Sequence, residues 1–167
     1  MKPIVHLAGA LLAVSLSTAL WAQTVDVKDA WVRATVPSQK ASGAFMKLTA
    51  KEGLKLVGIS TPVAAVAEVH EMKMEGDIMK MRAVSGGLDL PAGTAVELKP
   101  GGYHVMLMDL KATLVKDSRI PMTLLFKDAK GAESKMELKV PVLMAAPAMH
   151  KAAHAEHGMA HGEHAKP

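Results

Sequence analysis

From Val25 to Val140 the chain is broken by turn-forming residues at steps of roughly 8 to 12, the spacing expected of strands in a sandwich or barrel. The breaks are Pro37-Ser38, Thr61-Pro62, Glu75-Gly76-Asp77, Ser85-Gly86-Gly87, Pro91-Ala92-Gly93, Pro100-Gly101-Gly102 and Lys130-Gly131. Between them the sequence predicts strands over Val25–Arg33, Ser42–Thr49, Lys55–Ser60, Ala67–Met74, Ile78–Val84, Ala95–Leu98, Tyr103–Met108, Ile120–Phe126 and Ser134–Val140. No long segment carries a helical period. The expected fold is an all-β Greek-key β-sandwich or barrel.

Both ends depart from this pattern. Residues 1–22 combine Lys2, an apolar run from Ile4 to Leu20 and small residues at Ala19 and Ala22 before Gln23, the layout of a cleaved secretory signal. The expected domain is 23–144. From 145 to 167 the chain contains no branched aliphatic residue and reads as a disordered, histidine- and methionine-rich tail. That tail holds Met149, His150, His154, His157, Met159, His161 and His164.

The 167 residues include no cysteine, so an exported domain must rely on its core and has no cysteine for a lipid anchor. Any soft metal it binds must be held by thioether and imidazole, which disulfide formation cannot remove. The net charge of +4 is dispersed among acidic residues, as at Lys73, Glu75, Asp77 and Lys80, which excludes a nucleic-acid footprint. With 13 methionines and only 3% aromatic residues, some methionine is expected to fill core gaps, and Met46, Met122 and Met136 suit that role. The others cluster.

The strongest cluster is His70-Glu71-Met72-Lys73-Met74-Glu75-Gly76-Asp77-Ile78-Met79-Lys80-Met81, two alternating strands around a tight turn. Alternation puts His70, Met72 and Met74 on one face. A loop at Glu75-Gly76 would set His70 opposite Met81; a loop at Gly76-Asp77 would set Met72 opposite Met81. Both registers are open to the sequence. A second group, His104, Met106 and Met108, shares one face of a strand whose other face holds Val105 and Leu107. A histidine gains nothing from packing among methionines and needs partners when buried. Two imidazoles with two or more thioethers suit Cu(I) and fit Mg, Ca or Mn poorly.

His70, Met81 after ten intervening residues, and His104-Val105-Met106 following Lys99-Pro100-Gly101-Gly102-Tyr103 resemble the periplasmic copper chaperone family PCuA(C). Asp29-Ala30-Trp31-Val32-Arg33 and Ser42-Gly43-Ala44-Phe45-Met46 extend the resemblance over about 25 to 142. The segment between Met81 and His104 is one residue longer than the family pattern, an excess that Ser85-Gly86-Gly87 can absorb. The resemblance implies a cupredoxin-like fold in the periplasm and a Cu(I) site of His70, Met81, His104 and Met106, with Met72 as a neighbour. It further implies copper delivery to cytochrome c oxidase subunit II, alone or alongside a Sco-type thiol protein, and a Cu(II)-favouring tail.

A blue-copper site needs a cysteine thiolate and a c-type haem needs Cys-x-x-Cys-His, so the composition excludes both. No nucleophile with a base and an orienting partner is visible, which argues against an enzyme or a small-molecule substrate. The rival readings are a copper-buffering or resistance protein and an Ig-like binding module whose methionines are core.

Overall fold

The computed structural model describes residues 24–147, and every element among them is a strand. The signal segment and the tail ligands Met149, His150, His154, His157, Met159, His161 and His164 lie outside the described residues. In chain order the strands are β1 (Val25–Arg33), β2 (Ala41–Ala50), β3 (Leu54–Ser60), β4 (Ala64–Glu75), β5 (Ile78–Ala83), β6 (Leu88–Leu90), β7 (Ala95–Leu98), β8 (Tyr103–Leu110), β9 (Arg119–Asp128) and β10 (Glu133–Leu143).

The strands hydrogen-bond in the order β5-β4-β8-β7-β2-β1-β10-β9-β3-β6, with β8 also paired to β2. The β1 half and the β10 half are joined by the short parallel pairing of Val32 and Arg33 with Val142 and Leu143, and an isolated bridge between Ala50 and Ala92 adds a second link. The ribbon therefore folds over itself as a sandwich, with Leu48, Val105 and Leu107 from one half and Leu56, Leu124, Phe126 and Val140 from the other forming the buried core. Met46 and Met122 are buried in it and Met136 packs at its margin, as their composition role predicts. The sequence missed β6, three residues inside a turn-rich stretch, which pairs with β3 through Leu54–Leu90 and Leu56–Leu88.

Two local features shape the outer surface. Asp29 sits at φ 52 where the β1–β2 register shifts between Lys28 and Trp31, a bulge that reverses the alternation of β1. Val25 and Val32 both face the core, while Trp31, on the opposite face, is buried against Phe45, ring centroids 4.6 Å apart. Arg33 lies over both rings, 5.9 and 5.5 Å from their centroids. Phe45 is held down because Gly43 has no side chain; a Cβ there would lie 2.8 Å from the ring.

Candidate metal centre

The hairpin β4–β5 closes with Glu75 opposite Ile78, which leaves Gly76-Asp77 as a two-residue loop. Gly76 has φ 63 and Asp77 is not among the positive-φ residues, the pattern of a type II′ turn with glycine first. This selects the second of the two registers. Met72 pairs with Met81 and Met74 with Met79, while His70 stands across from Ala83 and diagonal to Met81.

On its other edge β4 pairs with β8, and the register sets His70 directly opposite His104 and Glu68 opposite Met106. Because side chains alternate, one sheet face carries Met79 and Met81 from β5, Glu68, His70, Met72 and Met74 from β4, and His104, Met106 and Met108 from β8. The other face of β8 delivers Val105 and Leu107 to the core at 0% exposure. The structure thus brings His70, Met81, His104, Met106 and Met72 onto adjoining positions of one surface. It also adds Gly43, opposite Met106 on β2, whose lack of a side chain leaves the neighbouring space to the Phe45 ring.

Each imidazole has one nitrogen committed. His104 is 6% exposed, and its Nδ1–H donates to the Gly102 carbonyl at 3.0 Å. A carbonyl only accepts, so the proton is on Nδ1 and Nε2 carries the lone pair. His70 Nε2 lies 3.0 Å from Glu68 Oε1, which by the same reasoning puts the donated proton on Nε2. His70 Nδ1 is buried and has no hydrogen-bond partner, an arrangement that costs about 1–3 kcal/mol unless something else meets the lone pair. The ring centroids are 6.1 Å apart. With metal–nitrogen bonds of about 2 Å, two imidazoles sharing one ion have centroids up to about 6 Å apart. The observed spacing stands at that limit, so the rings draw closer when they share an ion with other ligands.

The β7–β8 turn sets this geometry. Gly102 N–H donates to Lys99 C=O at 3.1 Å, with Pro100 second and Gly101 third at φ 82, which is type II turn chemistry. The Gly102 carbonyl so presented accepts from both His104 Nδ1 and the Met72 backbone N–H, at 3.0 and 3.2 Å, and ties the two strands at the site. Outside the turn, Glu97 bonds Lys99 and Lys47, and their ammonium groups hold its carboxyl below the usual range. Burial, with Glu71 beside it, pushes the Tyr103 phenol up.

Sequence reasoning missed Glu68 and the Gly102 carbonyl. Glu68 was findable, since it sits two residues before His70 on the same face; the carbonyl was not, because a backbone acceptor is aimed only by the folded turn. Among the described residues no three His, Cys, Asp or Glu side chains gather as a metal site. What the register does gather is two histidines with methionines at neighbouring positions of one sheet face.

A family model described as "Putative lipoprotein LpqE-like" matches residues 25–142. A putative lipoprotein of Leifsonia xyli subsp. xyli is 34% identical over 118 residues, covering 71% of each chain. An uncharacterized protein of Rickettsia prowazekii is 29% identical over 103 residues, and there the match spans 57% of the relative's length. Among solved structures, the apo form of DR1885 from Deinococcus radiodurans is 30% identical with TM-score 0.53, covering 85% of this chain and 95% of that one. The Cu(I) form of the same protein gives 0.57 at 30% identity, covering 75% and 82%. A copper-bound PCuAC domain from PmoF2, at 21% identity and TM-score 0.56 over 74% of this chain and 94% of that one, shows the shared fold.

Proposed function

The chain belongs to the LpqE-like putative lipoprotein family, and from that premise we propose that it is a copper carrier of the cell envelope, taking Cu(I) on His70, Met81, His104 and Met106 and passing it to an acceptor protein. One observation carries the reading: two cross-strand imidazoles, each with one nitrogen fixed by a hydrogen bond, leave His70 Nδ1 and His104 Nε2 as lone pairs on a sheet face whose neighbouring positions are methionines. Likeness to a Deinococcus protein solved with Cu(I) supports it. Met72, opposite Met81, stands as a neighbour to the set. The rival in which these methionines fill the core does not describe Met81, which is 50% exposed.

The chemistry is transfer by ligand exchange, with copper as cargo and no reaction catalysed. Thioethers hold Cu(I) without being oxidised by it and yield to thiolates, so an acceptor can displace them one at a time. The half-exposed Met81 is open to such an approach, whereas His104 is enclosed and leaves last. The chain has no thiol, so the electrons that keep copper and acceptor reduced come from a partner. Through the PCuA(C) resemblance we assign the acceptor as the binuclear copper centre of cytochrome c oxidase subunit II, reached directly or with a Sco-type thiol protein, in the periplasm. The tail from Met149 to His164 then serves as a Cu(II)-favouring accessory.

The test is anaerobic competition for Cu(I) against a chromophoric chelator, comparing the chain ending at Pro147 with its His70→Ala/Met106→Ala variant. One tight equivalent should be present in the first and absent in the second. If the native chain without the tail takes up no Cu(I), the reading is wrong.

A further inference from the structure

The hairpin continues beyond the centre just described. Pairing of β4 with β8 ends at Glu71 opposite Tyr103 with one last bond from Met72 N–H to Gly102, so residues from Lys73 through Lys80 form a two-stranded ribbon paired only with itself. The two faces of the hairpin differ sharply. One presents Glu71, Lys73, Glu75, Ile78, Lys80 and Arg82, with Glu75 paired to Lys80 at 2.7 Å and to Arg82. The other presents Met72, Met74, Met79 and Met81, methionine at every position.

Packing does not explain this face. Met74 is 53% exposed and Met79 52%, against 3% for Met46 and 1% for Met122, which are core methionines of the same chain. If the need were only an apolar contact, β-branched residues would serve an exposed ribbon better, since they favour strands. What four methionines supply and valine or isoleucine do not is sulfur.

We propose that Met74 and Met79 form a second, outer Cu(I) site at the hairpin tip, a relay between the inner centre and the acceptor. This rests on the Cu(I)-carrier reading above. Directly opposed residues have Cβ atoms about 5 Å apart, so their flexible side chains can bring two sulfurs to one ion at metal–sulfur bonds of about 2.3 Å. The Met72–Met81 rung lies about 7 Å further along the hairpin, two residues at about 3.4 Å each. Copper on the outer rung can pass to the inner one along a single face. With two thioethers and no imidazole opposite them, the outer site is the weaker of the two and fills second.

The experiment is a Cu(I) titration of the full chain carrying 13C-methyl methionine, followed by NMR, with the Met74→Leu/Met79→Leu variant alongside. Both positions are exposed, so leucine leaves the core untouched. The first equivalent should shift the Met81 and Met106 methyls. Further Cu(I) should shift Met74 and Met79 together, and the variant should lose that second event and keep the first. Met144 is the internal control, at 67% exposure and outside the ribbon. Met74 and Met79 staying still, or moving only in step with Met144, would overturn the outer site and leave the carrier reading intact. Met81 and Met106 failing to move would overturn the carrier reading itself.

Discussion

His70 and His104 differ in what fixes them. The proton of His104 is held by a backbone carbonyl that no substitution of a side chain removes, whereas that of His70 is held by the Glu68 carboxylate, 44% exposed. Carboxylates bonded to ligating histidines set the tautomer and raise the basicity of the free nitrogen, and their loss typically weakens metal binding by about 10- to 100-fold. Glu68→Gln should therefore lower Cu(I) affinity by about tenfold or more in chelator competition while the thermal melting temperature of the copper-free protein stays nearly unchanged. Equal affinity in the two proteins would mean that His70 is held by its packing alone.

Among the elements, the β7–β8 turn and the β4–β5 hairpin set the site between them. The turn needs Gly101 at φ 82, a region that side chains with a Cβ occupy at a cost of roughly 1 kcal/mol or more. Gly101→Ala should lower stability by about that amount, measured by urea unfolding. It should also weaken Cu(I) binding, because the Gly102 carbonyl that orients His104 loses its aim. Loss of stability without loss of affinity would show that the His104 ring is oriented by its burial and not by that bond.

For the whole molecule, the site hangs from a core it does not contribute to. The buried side chains that join the two halves, Leu56, Leu107, Leu124 and Phe126 among them, face away from the histidine surface, so the copper-free chain is expected to stay folded. The self-paired ribbon is different: a two-stranded hairpin by itself is marginally stable, and all of β5 is exposed. Hydrogen exchange should then show fast amides in Lys73–Met81 without copper and slower ones with one equivalent of Cu(I), while β9 and β10 stay protected in both. Unchanged exchange in the ribbon would place Met81 outside the inner centre.

The alternation of histidine and methionine along two short strands and the turn residues between them were enough to predict an all-β chain with its histidines and methionines on one face. Those are local properties, set by side-chain period and backbone preference. Register was not local. Whether Glu75-Gly76 or Gly76-Asp77 closes the hairpin decides whether Met81 stands opposite His70 or Met72, and what brings His104 opposite His70 is the pairing of β4 with β8, more than thirty residues away in sequence. Glu68 as the partner of His70, the Gly102 carbonyl beneath His104 and the Gly43 gap under Phe45 are each contacts between residues two apart in sequence, local in origin and aimed by the backbone of one strand or turn. The residue types and the hydrogen bonds that fix each histidine lie within two residues of it in sequence; which side chains face one another was decided by the tertiary fold, because cross-strand register is set only when distant segments pair.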